Sequence, residues 1–97
     1  MNEQIISLIE RRRRQIWVHS VLYYEFNETI VTDYIWAKWA KELMQLQISY
    51  PKESKLAIYY DEFKDFEPST GYNLSLRDPW AVNRAQKLLE YERMHAI

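Results

Sequence analysis

The residues that could carry chemistry fall into a few groups. Arg11–Arg14 is an uninterrupted run of four arginines, and on a helix it spans more than one turn. Its side chains therefore point to every face, including one that neighbouring elements must cover. At least one arginine is expected to pair or snorkel, and the run as a whole to form a solvated or salt-bridged face. The opposite pole lies at Asp61, Glu62, Asp65, Glu67 and Asp78, five carboxylates against Lys64 and Arg77 within 18 residues, interleaved with Phe63, Phe66 and Tyr72. Carboxylates among aromatic rings suit docking on a basic groove of a partner, where charge steers the encounter and rings supply contact area. A solvated helix face and loop would carry the same residues. The two poles together would also allow self-association, arginine run against acidic stretch.

Catalytic and metal chemistry find little support. The two histidines, His19 and His95, have no second His, Asp or Glu at the i+4 spacing that would set two ligands on one helix face. No serine sits in a Gly-x-Ser-x-Gly setting. Cysteine is absent, which removes disulfides, thiolate ligands and a thiol nucleophile, and favours a cytoplasmic location. The net charge of −1 argues against a nucleic-acid partner, as does the lack of a second basic cluster along the chain. No apolar stretch approaches the roughly 18 residues of a membrane span.

These groups need elements to position them. The 97 residues suffice for one domain. One glycine and three prolines leave too little turn chemistry for a β-sandwich or a glycine-rich phosphate loop. Apolar residues at Ile5, Ile9, Ile16, Val21 and Tyr24 predict an amphipathic helix over 3–26. Thr32 and Asp33 supply an N-cap and an acidic first turn for a second helix over 33–49, whose apolar positions are Trp36, Trp39, Ala40, Leu43, Leu46 and Tyr50, with Pro51 ending it. Leu56, Tyr59, Tyr60 and Phe63 share the i, i+3, i+4, i+7 face of a third helix over 53–65. Residues 67–77 read as a loop pinned by Phe66, Tyr72 and Leu74. Asp78-Pro79 opens a last helix over 79–95, packing through Ala81, Ala85, Leu88 and Leu89. The expected fold is all-α: a small four-helix single domain, with an N-terminal antiparallel helical hairpin over 1–51 and a short helix, loop and C-terminal helix over 52–97. Four tryptophans and eight tyrosines exceed what so small a core needs, so some rings should reach the surface and favour a protein partner.

Tyr23-Tyr24, Ile30-Val31-Thr32-Asp33, Trp36, Lys41-Glu42-Leu43 and Tyr50-Pro51 together resemble the N-terminal Ia domain of NAD-dependent DNA ligases. That family's pattern is a helix ending in Tyr-Tyr or Tyr-His, then Asp-x-x-Tyr-Asp opening a second helix that ends near Tyr-Pro. Residues 12–51 fit it without a gap, about 40 of the 97 positions. The remainder resembles short ligase-related prophage proteins of low-GC Gram-positive bacteria. The Ia domain clamps the nicotinamide mononucleotide (NMN) half of NAD between aromatic rings and acidic groups. The resemblance therefore implies a ligand site at Tyr23, Tyr24, Asp33 and Trp36, with NMN or NAD as the ligand. The chain departs from the pattern at Trp36, where the family has Tyr, and at Ala37, where it has a carboxylate. Loss of a charged hydrogen-bond acceptor costs about 1.5–3 kcal/mol, so the pocket is expected to be degenerate. Two tyrosines closing one helix and a tryptophan opening the next would also meet simply to seal the end of the hairpin.

No Lys-x-Asp-Gly, the setting of the family's nucleophilic lysine, occurs in the chain. The expectation is a non-catalytic phage or prophage accessory binding protein of the bacterial host cytoplasm, with the degenerate pocket as its site. The alternative is a phage-encoded inhibitor of a host defence nuclease or CRISPR effector, docking through Asp61, Glu62, Asp65, Phe66, Glu67 and Tyr72. A homodimer is compatible with either.

Overall fold

A computed structural model describes residues 2–95, which form five α-helices and no strand: α1 Glu3–Glu25, α2 Asp33–Ser49, α3 Pro51–Leu56, α4 Tyr60–Phe63 and α5 Pro79–His95. Local signals start the long ones. The Asn2 carboxamide accepts the Gln4 and Ile5 N–H groups at 3.0 and 3.2 Å, the Thr32 hydroxyl accepts that of Ile35 at 3.2 Å, and the Asp78 carboxylate accepts that of Ala81 at 3.1 Å. Asn27, at φ 53°, turns the chain out of α1 in the left-handed conformation that Asn tolerates best after Gly.

α1 is the axis on which the rest packs. Arg12 meets Glu42, Arg13 meets Gln47 and His19 meets Trp39, so α2 returns along α1 in the opposite sense, as the hairpin requires. The core is closed by Ile9, Ile16, Val21, Leu22, Ala40, Leu43, Phe63, Ala81 and Ala85, all with no exposed surface. Burial of each large aliphatic side chain stabilises the fold by roughly 1.5–3 kcal/mol. The alanines of α5 let its backbone approach α1 closely. Trp17 forms the centre of an aromatic cluster, with ring centroids 5.2 Å from Tyr59, 5.5 Å from Trp80 and 6.2 Å from Phe63. Its indole N–H donates to the Ser75 carbonyl at 3.0 Å, which ties the long loop to this cluster.

The third predicted helix is two. Pro51 does not merely end α2: Tyr50 caps both helices and Pro51 is the first residue of α3. The helical pattern then fails at Ala57, in extended conformation, and at Tyr59, whose φ of 66° is left-handed. The cause is on α1. The Arg13 guanidinium donates to the carbonyls of Ser54, Ala57 and Ile58, and the Glu10 carboxylate accepts the Ile58 N–H at 3.1 Å. These side chains take the groups with which a continuous helix would have bonded to itself. As a result Leu56, placed by periodicity on the packed face, is exposed, while Phe63 stays buried. In the loop, Leu74 is buried and Phe66 half-buried as expected, while Tyr72 is exposed and meets Tyr24 of α1 edge-on rather than entering the core.

Candidate functional site

The end of α1, the start of α2 and the loop around Gly71 enclose a cleft of about 370 Å³. On α1, Ser20, Tyr23 and Tyr24 share one face by i, i+3, i+4 spacing; on α2, Asp33, Trp36 and Ala37 do the same. Tyr23, Tyr24, Asp33 and Trp36, scattered over 14 positions of sequence, thus line one cavity. Their rings do not seal the hairpin end: Tyr23 is 53% and Tyr24 39% exposed. Tyr24 is held by edge-on contacts with Tyr23 and Tyr72, centroids at 4.8 and 5.4 Å, and its hydroxyl hydrogen-bonds that of Thr70 at 2.8 Å.

The third wall depends on the single glycine. A Cβ at Gly71 would stand 2.8 Å from the Ser20 Cβ and 3.3 Å from Trp36, and would collide with the Ser20 hydroxyl. Only a residue without a side chain lets the loop close on the two helices. Ser20 is 2% exposed, and its hydroxyl has no hydrogen-bond partner among the described residues. Leaving a buried donor unpaired costs about 1–3 kcal/mol, so such a group has to be accounted for.

The cleft's electrostatics are acidic. Glu28 and Asp33 line it, and no lysine or arginine does. Glu28 pairs with Arg93 at 3.1 Å, whereas Asp33 forms no ion pair among the described residues. His19, 5.4 Å from Trp39 by ring centroids, also lines it; burial pushes its pKa below the ordinary histidine value, so the ring is neutral at pH 7. The Ala37 methyl occupies the wall where the resemblance expects a carboxylate.

The acidic stretch is only partly free. Asp61, Glu62, Asp65, Phe66 and Glu67 border a groove of about 300 Å³. Glu62 accepts both the N–H and the hydroxyl of Ser75 at 2.8 Å, Glu67 accepts those of Ser69, and Asp78 caps α5. Three of the five carboxylates thus shape the loop, leaving Asp61 and Asp65 in solvent. Tyr72 stands apart from this groove, against Tyr24.

The arginine run divides by face. Arg11 is exposed, while Arg12 pairs with Glu42 at 3.2 Å and also bonds Gln15. Arg13 is wholly buried, with five hydrogen bonds to Gln47, Ser54 (carbonyl and hydroxyl), Ala57 and Ile58. Burial pushes its pKa down to about 10, against the pull of Glu10 and Tyr60, so it remains charged at neutral pH. Arg14 turns to a cleft against α5.

Among the described residues no three His, Asp or Glu side chains gather as a metal site, and no helix is long and apolar enough to cross a membrane. No family model, curated protein or solved structure matches the chain. Sequence reasoning missed Ser20, Glu28, Thr70 and Gly71 as lining. Only the lone glycine, in a loop rich in hydroxyl residues, offered a signal.

Proposed function

We propose that the chain is a non-catalytic phage or prophage accessory protein whose aromatic cleft binds the nicotinamide nucleoside part of NMN or NAD. The observation that carries this reading is the meeting of Tyr23, Tyr24, Asp33 and Trp36 in one open cavity. Flat rings offer stacking surfaces to a pyridinium, and Asp33 offers it a counter-charge. The Thr70 loop supplies hydrogen-bonding groups for a carboxamide or a ribose, and the Ser20 hydroxyl, covered by Gly71 in the free protein, joins them only where that wall lifts. At about 370 Å³ the cleft is at the small end of ligand sites, a size for a nucleoside rather than a whole dinucleotide. With no lysine or arginine in the lining, the ring and ribose make the contacts and the phosphate stays in solvent.

Calorimetric titration with NMN tests this. Heat is expected that Tyr23→Ala and Asp33→Ala abolish, and Ala37→Asp, which restores the missing carboxylate, is expected to tighten binding by about tenfold or more. No heat at millimolar NMN from either the native chain or Ala37→Asp would end the reading.

A second reading, inhibition of a host defence nuclease or CRISPR effector, is favoured by the half-buried Phe66 lining one groove with the solvent-exposed Asp61 and Asp65. Its test is target cleavage by the purified effector with and without the protein. Inhibition should weaken with salt and with Asp61→Lys and Asp65→Lys.

A further inference from the structure

The arginine run has no basic neighbour in sequence, but the fold gives it one. Arg14 of α1 and Arg84 and Lys87 of α5, some 70 positions apart, line a single cleft of about 540 Å³. No Asp or Glu lines it, and none of the three cations forms an ion pair among the described residues. Three uncompensated cations on one face are a strong local concentration in a chain whose net charge is −1. Between them lie two half-buried rings, Tyr59 and Trp80, with the Arg84 guanidinium 5.8 Å from the centroid of Trp80.

Cations alone would suit any polyanion. Flat rings set among them suit one whose repeating unit pairs a phosphate with a π-face, since base stacking on an aromatic side chain is tolerant of sequence. An acidic peptide offers a ring to Trp80 only where it carries an aromatic residue, whereas every nucleotide carries one. A duplex would require an element that projects into a groove, whereas these cations flank a cleft between α1 and α5. We propose that the α1–α5 cleft binds single-stranded nucleic acid, with Arg14, Arg84 and Lys87 on phosphates and a base against Trp80. This site shares only His19 with the aromatic cleft, and none of its cations or rings lines that cleft.

The test is fluorescence anisotropy of a labelled oligothymidylate of about 15 nucleotides with the full chain. Three phosphate contacts predict a slope of log affinity against log salt of about −2. Arg84→Glu with Lys87→Glu, both on the exposed face of α5, should abolish binding while circular dichroism stays native. Trp80→Leu should weaken binding by about tenfold without changing the salt slope. Because Trp80 also packs on Trp17, the shift of its indole N–H resonance on titrating the native chain provides the same readout if that variant does not fold. A flat salt dependence, binding unaffected by the double reversal, tighter binding of duplex, or equal displacement by polyglutamate would overturn the proposal.

Discussion

The middle of α1 and its C-terminal end are built from similar materials to opposite effect. Around Arg13, every polar group that burial takes from water is given a partner. Five hydrogen bonds fill the guanidinium, and the carbonyls they satisfy are those that the end of α3 leaves open. Two turns further on, Ser20 is as deeply buried and has no partner, Asp33 has no counter-charge, and Tyr23 is more than half exposed. The first region is complete in the chain alone. The second presents groups that a ligand would complete. A buried ionised side chain is thus the structural residue here, and a small neutral hydroxyl marks the candidate site.

The comparison breaks first, and by most, at Arg13. Arg13→Met should destabilise the protein by about 3–5 kcal/mol, because the carbonyls of Ser54 and Ala57 would be left buried and unbonded and that of Ile58 would lose its partner. Urea unfolding measures it. Arg13→Lys should not restore the loss, since one ammonium cannot reproduce the guanidinium's fork. Stability close to the native value in either variant would show that the break between α3 and α4 is held by something other than α1.

Gly71 comes next. Gly71→Ala should cost about 1–3 kcal/mol by overpacking against Ser20 and Trp36, and should open the cleft's third wall. Adding Ser20→Gly, which clears the nearest atoms, should make the pair less destabilised than the sum of the two single changes, since the glycine inside α1 itself costs about 0.5–1 kcal/mol. A double-mutant cycle with no coupling would mean that the loop does not rest on Ser20.

What the sequence makes legible follows from how local each signal is. The starts at Asn2, Thr32 and Asp78 lie within a few residues of the N–H groups they cap, so α1, α2 and α5 match their predicted spans to within one residue. The break at 57–59 is imposed by Glu10 and Arg13, more than 40 positions away, while Leu56, Tyr59, Tyr60 and Phe63 keep an unbroken helical period; periodicity cannot register such a competitor. The aromatic cleft was half legible. The resemblance supplied its two helical walls, but nothing local shows that Gly71 must abut Ser20, or that Tyr72 would stand beside Tyr24 and leave the acidic groove. The basic cleft was not legible at all, because its cations join only when α5 crosses α1.

His19 lies on the boundary, lining both clefts, and sharpens the comparison by pH. Its folded pKa lies below the ordinary value of 6.5, through burial. Above that pH both folded and unfolded chains hold it neutral and it contributes nothing to the pH dependence of stability. As pH falls through 6.5 the unfolded chain takes up the proton first, so stability should decline until the folded ring is protonated as well. Asp33 and Glu28 face it from one cleft, and Arg14, Arg84 and Lys87 line the other. His19→Gln should flatten the slope of unfolding free energy just below pH 6.5. A slope that survives would place the proton uptake elsewhere.

The smallest effect on stability is the most informative about the site. If the Ser20 hydroxyl is idle in the free protein, Ser20→Ala should leave stability unchanged or raise it by up to about 1 kcal/mol, because it removes an unpaired buried polar group. Because the Gly71 wall covers the hydroxyl in the free protein, a loss of NMN affinity in the same variant would show that the loop lifts from Ser20 when the cleft fills. A variant that is destabilised instead would mean that Ser20 has a partner within the chain after all. The end of α1 would then be as self-sufficient as its middle, and the contrast between the two regions would no longer point to a ligand.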